Sequence, residues 1–387
     1  MVKILIVHSY YLSRGGEDVV FEQEKALLSE QNNVESLVFR NGSSFKGLFQ
    51  FLFSVWNIGA AWKLKKVIKR FNPDVLHIHN WHFGSGPIII RTAKKLGVPV
   101  VLTLHNYRLL CPSGSLMYRD KLFTASLQQN FPWEAVKRKV YRNSFQLTFW
   151  LAFVVWFHRF LGTWAKVDSY IALSEFAKEL FLSSSLGLNE KQITVKPNFV
   201  TKLDITENEK GAFFLFVGRL TEEKGVLVLL KAFENLSTPL KIIGDGPLAS
   251  EVIRYSEKYS NIEYIGIAQA PKVREYMQTA KALIMPSIWH EPFGLVIIEA
   301  FSVGTPVIAS KMGAMASIIE HEINGLHFEA NNPMALREAI SKIQEEGKFE
   351  EFGKNAYQSY LEKYSKETNE RQLLNIYNDV VEKKSNQ

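Results

Sequence analysis

Short apolar runs alternate with amphipathic stretches along most of the chain. In the first half they read KILIVHS, VESLVFR, VLHIHN, PVVLTLHN and SYIALS; in the second, AFFLFVGRL, LKIIGDG, IEYIGIA, KALIMPS and TPVIAS. Runs that are apolar throughout, rather than at every second position, suit parallel strands covered on both faces. Helical spacing between them predicts helices over Asp18–Ser29 and Pro87–Leu96, and so βαβ units. The alternation restarts after Lys196-Pro197-Asn198, where the charged stretch TKLDITENEKG follows. The pattern predicts an α/β protein of two Rossmann-like, doubly wound domains that divide near residue 200. A cleft is expected where the carboxyl ends of their strands face each other.

Two segments break the alternation. Residues 45–71 run from aromatic to strongly basic, and residues 145–164 hold a long apolar stretch interrupted by His158 and Arg159. A membrane-spanning helix needs about 20 mainly apolar residues, and neither segment meets that. Both fit helices of a core or domain interface. Both also fit a face lying on an anionic membrane, aided by Lys63, Lys65, Lys66, Lys69 and Arg70.

Composition narrows the class. At 387 residues the chain exceeds one ordinary core. Hydrophobic residues at 47% and charged residues at 22% exclude a disordered chain. The single cysteine, Cys111, excludes a disulfide framework and a four-cysteine zinc site, and fits the cytoplasm. MVKILIVHSYY lacks the length and cleavage site of a signal peptide and is expected to be the first strand. Residues 1–200 carry 25 Lys+Arg against 13 Asp+Glu, a balance of +12, and the remainder 21 against 26, or −5, which together make the net +7. A basic first half fits an anionic partner such as a membrane surface or a phosphate-bearing acceptor, or else a solvated basic surface.

Candidate chemistry sits at predicted strand ends. Ser13-Arg14-Gly15-Gly16-Glu17 follows the first strand and opens a helix, so backbone can approach a ligand there and N–H groups can meet an anion. It is not GxGxxG, which leaves a dinucleotide cofactor unsupported. Gly218 and Arg219, with Lys224 five positions on, can clamp a diphosphate, the guanidinium in bidentate fashion and the ammonium as a point charge. Gly244-Asp245-Gly246-Pro247 is a turn, and Gly244 leaves room for a base or ribose. His105 ends a strand and is the histidine expected to face the cleft. No HExxH, GxSxG or GxxxxGK[ST] occurs, so a zinc protease, a serine hydrolase and a P-loop kinase are unsupported. HEPFGLVIIEAF sets Glu291 before a turn and Glu299 about two helical turns along the segment behind it.

These pieces, in this order, resemble the retaining glycosyltransferases of family 4, with the GT-B fold: the N-terminal glycine pair, GRLTEEKGV, GDGP and PSIWHEPFGLVIIEAFSVGTPVIAS. The resemblance implies sugar transfer from a nucleotide-diphosphate sugar to a saccharide or lipid-linked acceptor in surface polysaccharide synthesis. It implies that Glu291 touches the donor sugar's hydroxyls and Glu299 the ribose. Backbone groups at Phe293, Gly294 and Leu295 would hold sugar and diphosphate, Arg219 and Lys224 would neutralise the leaving diphosphate, and Gly16 would approach the phosphate from the other domain. His105 would lie near the reacting carbon. No aspartate-rich metal site is visible, so neither a metal nor a cofactor is expected, and no nucleic acid partner. A peripheral place on the inner face of a membrane fits the basic half.

The chain departs from the family at Gly313-Ala314-Met315-Ala316-Ser317, where many members have a glycine-rich stretch ending in Pro-Glu. The aromatic, basic segment from Cys111 to Trp164 is expected to set acceptor choice. In this fold the last helix returns to the first domain, and apolar spacing at Leu373, Leu374, Ile376, Tyr377 and Val380 suits that, giving domains of 1–200 plus 368–387 and 201–367. A nucleotide-sugar epimerase of the same architecture, or a non-catalytic nucleotide-sugar-binding protein, is the alternative reading.

Overall fold

The computed structural model describes residues 1–12, 14–42, 44–119, 121–202, 211–345 and 347–385, without the side chains of 44–46 and 385. Ser13 of the glycine loop and most of TKLDITENEKG lie outside the described residues. The chain folds as two compact units. One comprises Met1–Tyr118, Phe123–Pro197 and Asn369–Gln387, and the other Arg119–Leu122 and Asn198–Thr368.

The first unit is built on a parallel sheet of β1 (Lys3–Tyr10), β2 (Asn33–Arg40), β3 (Val75–Ile78), β4 (Val100–Leu104), β5 (Ser169–Ala172) and β6 (Ile193–Val195), in the order β2-β1-β3-β4-β5-β6. Ile4 to Val7, Val75, Leu76, Val100 and Val101 are fully buried, as expected of strands covered on both faces. The order reverses between β1 and β3, the switch point where sheets of this kind bind ligands beyond their carboxyl ends. The run ITV of β6 is too short to register as a strand in the sequence pattern.

Helix α1 (Gly16–Ser29) places Val20, Phe21, Leu27 and Leu28 on the sheet, with Glu24 in the same stripe. The aromatic-to-basic segment is two helices, α2 (Ser44–Phe53) and α3 (Ile58–Phe71). The break falls where the Asn57 side chain caps α3, accepting from the Ala60 N–H at 2.9 Å and donating to the Gly84 carbonyl at 3.0 Å. The helix predicted over Pro87–Leu96 is α4 (Ile88–Lys95). The second irregular segment is α5 (Phe145–Phe160), with Leu151, Ala152, Val154 and His158 buried. Phe145, Phe149, Phe153 and Phe157 stack along it at four-residue spacing, with centroids 5.6 to 6.3 Å apart. Among the described residues no helix is long and apolar enough to cross a membrane.

The second unit repeats the plan with β7 (Phe214–Val217), β8 (Leu240–Ile243), β9 (Ile262–Gly266), β10 (Ala282–Met285), β11 (Val307–Ser310) and β12 (Gly325–Phe328), ordered β9-β8-β7-β10-β11-β12. Its switch point lies between β7 and β10. Helix α6 (Leu295–Phe301) follows β10. The C-terminal helix α7 (Lys366–Ser385) buries Leu373, Ile376, Tyr377 and Val380 against Ile4, Ile6, Phe21 and Val101 of the first unit.

Candidate active site

In the second unit, the loops that leave β7 and β10 bracket the switch point. The loop after β8 lies against the one after β7, backbone to backbone. Gly244 has φ of 145°, and a Cβ there would stand 1.8 Å from the Gly218 carbonyl oxygen. That approach, before any room for a base or ribose, requires glycine at 244. The result is a ledge without side chains at two strand ends, with Arg219 exposed beside it.

Gly225 brings the third element in. Its left-handed φ of 71° and the absence of a Cβ, which would stand 1.8 Å from the Pro286 carbonyl, let the Glu222–Lys224 turn lie on the end of β10. Ile288 N–H donates to Glu223 O at 2.9 Å. Lys224 Nζ thereby reaches the Glu291 carboxylate and forms an ion pair with it. Ser287 Oγ donates to the same Glu291 oxygen at 3.0 Å. Glu291 is 4% exposed, so a cation and a hydroxyl hold this buried charge, as such a charge requires. The departure at Gly313 keeps a role here: its position leaves no space for a Cβ against His290 and Glu291, and Ala314 N–H donates to Glu291 O at 3.1 Å.

Glu299 stands differently from the sequence expectation. The turn at Gly294 (φ 113°) delays the helix, so α6 begins at Leu295 and Glu299 is about one turn into it, not two. Its carboxyl is pushed up by burial, with Arg274 acting against the shift. Phe293 contributes only backbone to any site, because its ring is buried against Tyr364.

In the first unit, Gly16 opens α1, but Asp18 Oδ2 accepts from the Gly15 N–H at 2.9 Å. One donor of that helix start is therefore already used. Behind it lies a buried polar chain. Lys196 pairs with Glu24, both essentially inaccessible. His79 Nε2 stands 3.4 Å from the other Glu24 oxygen, and His79 Nδ1 lies 3.1 Å from His105 Nε2. His77 bonds Tyr377 OH and Thr103 Oγ1, each at 2.7 Å. Glu24, His77 and His79 come close enough to share a metal ion. Both His77 nitrogens are engaged, however, and the Lys196 ammonium already supplies the positive charge beside Glu24. Burial pushes the imidazole of His105 down to about 3, and holds His77, His79 and His82 well below the usual histidine range.

An acid lability follows. These rings stay neutral in the fold, whereas in the unfolded chain they take up protons below about pH 6.5, so stability is present above that pH and is lost as pH falls. Each contributes up to about 1.4 kcal/mol per pH unit in that window. The melting temperature should drop steeply between pH 7.5 and 5 in thermal scans by circular dichroism. A flat profile would show the rings to be charged in the fold.

Comparison with known proteins identifies the lineage. Residues 13–202 match the family described as Glycosyltransferase Family 4, and residues 201–359 match Glycosyl transferases group 1. The chain belongs to the family 4 glycosyltransferases. An uncharacterized glycosyltransferase of Methanocaldococcus jannaschii is 25% identical over 360 residues, covering 89% of this chain and 88% of that protein. A second one from the same organism is 30% identical over 195 residues, but the match spans only about half of each chain, 48% and 49%. The O-antigen chain mannosyltransferase C of Escherichia coli is 29% identical over 178 residues, 45% of this chain and 48% of that one. Among solved structures, Anabaena HepE in complex with UDP superposes with a TM-score of 0.68 at 17% identity, over 97% of this chain and 100% of that one. Sucrose-phosphate synthase of Thermosynechococcus elongatus gives 0.70 at 18%, over 98% and 99%. The glycosyltransferase thus has the GT-B fold, and neither family match points to an epimerase.

Sequence reasoning passed over Glu24, Lys196, Glu17 and Arg108. Glu24 had a signal, a carboxylate inside the apolar stripe of α1. Glu17 is held by Asn106 Nδ2 at 2.6 Å and Asn80 Nδ2 at 3.2 Å, partners that only the sheet brings together.

Proposed function

We propose that this glycosyltransferase moves a sugar from a nucleotide-diphosphate sugar to a saccharide or lipid-linked acceptor, in the building of a cell-surface polysaccharide or glycoconjugate. Transfer proceeds with retention at the anomeric carbon and without a metal ion. The observation that carries the reading is the Lys224–Glu291 pair beside the ledge of Gly218 and Gly244, at the switch point of the second unit. The cation and the carboxylate pair with each other. A donor offers each a partner: diphosphate oxygens for Lys224 and Arg219, sugar hydroxyls for Glu291. Glu299 reads the ribose, and backbone at Phe293 to Leu295 lies along the sugar and phosphates.

In the transfer, the bond from the anomeric carbon to the diphosphate oxygen breaks and its electron pair leaves with the diphosphate. The acceptor oxygen bonds to the same face of that carbon, and its proton passes to the departing phosphate oxygen. Cations held ready for the leaving charge lower this barrier electrostatically. His105, uncharged in its buried setting, serves as a hydrogen-bonding group and not as a cation. The UDP in the HepE structure and the mannosyl transfer named for the E. coli relative support this substrate class.

The basic, aromatic face of α2 and α3 is proposed to rest on the anionic inner surface of a membrane. Trp62 and Phe53 are exposed on it, Lys66 lies 3.6 Å over the Trp62 ring, and Lys63, Lys65 and Lys69 face solvent.

The test is a panel of nucleotide sugars screened by thermal shift, since a ligand of the native state raises its stability. The stabilising donor is then used in transfer, with the product anomer read by proton NMR coupling constants. We expect retained configuration and a rate within about twofold of control in excess EDTA. An inverted product, or a loss restored by magnesium, contradicts the mechanism; sugar conversion without acceptor contradicts transfer.

A further inference from the structure

The first unit holds a cavity, of about 640 Å³, that the donor chemistry does not use. It opens at the carboxyl end of the sheet. Tyr11 follows β1, Asn41 follows β2, His82 lies past β3 and Arg108 past β4, and all four line it. Ligands of doubly wound sheets bind at this end. The far wall comes from α2, through Leu48 and Phe51, and from the stretch before and into α5, through Tyr141, Arg142 and Leu147. That stretch belongs to the aromatic, basic segment singled out by its sequence.

The polar part of the lining calls for an anion. Arg108 buries Nε and Nη1 with no hydrogen-bond partner among the described residues, and a buried donor without an acceptor is costly enough to imply one from outside. Arg142 stands at the mouth as a second guanidinium, and both cations act on His82, a ring already held neutral mainly by burial. The backbone around the cavity is strained at three positions. Phe83 (φ 57°), Arg142 (φ 51°) and Asn143 (φ 52°) adopt the left-handed conformation without being glycine, a cost that persists at ligand clamps where the surroundings enforce it.

Apart from Asn41 and Gln50, the rest of the lining is largely apolar, and the apolar surface continues outward. Beyond Leu48 the surface of α2 exposes Phe49, Leu52 and Phe53, at 59%, 45% and 60% of their areas. Glu17 already acts on the Arg108 guanidinium, but a neutral saccharide would bring no charge to Arg108 Nε and Nη1 or to Arg142, and a free anion would leave this apolar face bare.

We propose that this cavity is the acceptor site, and that the acceptor is an anionic lipid-linked species. Its phosphate or diphosphate is gripped by Arg108 and Arg142, and its hydrocarbon chain leaves over Leu48, Phe49 and Phe53 of α2. This rests on the transfer reading above and narrows its acceptor to the lipid-linked class.

Binding to the full-length protein distinguishes the sources of the anion. The probes are farnesyl diphosphate, farnesol and inorganic diphosphate, titrated by isothermal calorimetry. Farnesyl diphosphate should bind at least about tenfold more tightly than either of the others, because only it engages both halves of the site. Arg142→Asn, a residue type tolerant of left-handed backbone, should weaken farnesyl diphosphate about tenfold and leave farnesol unchanged. F49S/F53S should weaken farnesyl diphosphate and leave inorganic diphosphate unchanged. Equal affinity for inorganic and farnesyl diphosphate would make this a free-phosphate site and overturn the lipid assignment. Indifference of farnesyl diphosphate to both variants would overturn the location. Nucleotide-sugar binding is followed in parallel by thermal shift and should be the same in wild type and variants. If wild type bound farnesyl diphosphate as described but no nucleotide sugar, the transfer reading would fall and the cavity's ligand class would stand.

Discussion

Lys224→Ala should lower the turnover of sugar transfer by about 10²–10³, the loss typical of removing one preorganised group aimed at developing charge. The expectation rests on where Lys224 sits. A 3-10 turn, Glu222–Lys224, and the left-handed Gly225 fix its backbone against the end of β10, so its ammonium is aimed before any substrate arrives. It pairs with the Glu291 carboxylate. Diphosphate leaving the sugar gains negative charge as the bond breaks, so the cation binds the transition state more strongly than the ground state, and the loss should fall on kcat more than on KM. A purely structural role for the pair predicts something else. Lys224 is partly exposed, so its loss should cost about 1–2 kcal/mol of stability, visible in the melting temperature and not in the turnover of the folded fraction. Glu291→Gln tests the other half. It keeps the shape and its amide oxygen can still accept from a sugar hydroxyl, but it gives up the charge. The two variants and their combination form a cycle: if both groups act on one donor, the double variant should be little worse than the more damaged single one. A Lys224→Ala enzyme turning over within threefold of wild type would remove this site from the mechanism.

The sequence disclosed the architecture because it is written in short-range pattern. Strands buried on both faces must be apolar throughout, and ten of the twelve sheet strands were legible for that reason. ITV of β6 and GLHF of β12 were not, being short and, in the latter, carrying Gly325 and His327. The acids of HEPFGLVIIEAF were legible as a pair, but their geometry was not. Nothing local says that Gly294 turns before the helix starts, which puts Glu299 one turn into α6. Nor does local sequence say that Glu291 would be held by Lys224, 67 residues away. The histidine cluster shows the same limit more strongly. His77 finds Tyr377 across 300 residues, a partnership decided by how α7 lies on the sheet. Gly244 taught the reverse lesson: a glycine that looked like space for a ligand is first a condition for two strand ends to touch.

Lys196→Met should destabilise the protein by about 3–5 kcal/mol, the range seen when one partner of a buried ion pair is removed. Lys196 and Glu24 are 0% and 1% exposed, so no water replaces the lost ammonium and Glu24 keeps its charge in a dry site. The position adds to the effect. Lys196 ends the strand edge of the first unit, and its Nζ also donates to Asn369 Oδ1 at 3.2 Å, while Asn369 Nδ2 donates to the Pro197 carbonyl at 2.8 Å. Losing the ammonium therefore loosens the entry of α7 as well as the pair. Urea denaturation followed by circular dichroism gives the size of the loss from the midpoint shift at constant slope. The pair also fixes a pH signature. Burial pushes the Glu24 carboxyl up, and the Lys196 charge and hydrogen bond, together with His77 and His105, more than reverse this, leaving it lowered in the native protein. Without Lys196 the largest opposing influence is gone and burial pushes the carboxyl up, so the deficit of the variant should shrink as the solution is acidified and Glu24 takes up a proton. E24Q/K196M should recover part of the loss at neutral pH, since it removes the uncompensated charge while keeping most of the packing. A deficit below about 1 kcal/mol for the single variant, or one that grows on acidification, would mean that Glu24 is already neutral in the fold and that Lys196 is held by Asn369 alone.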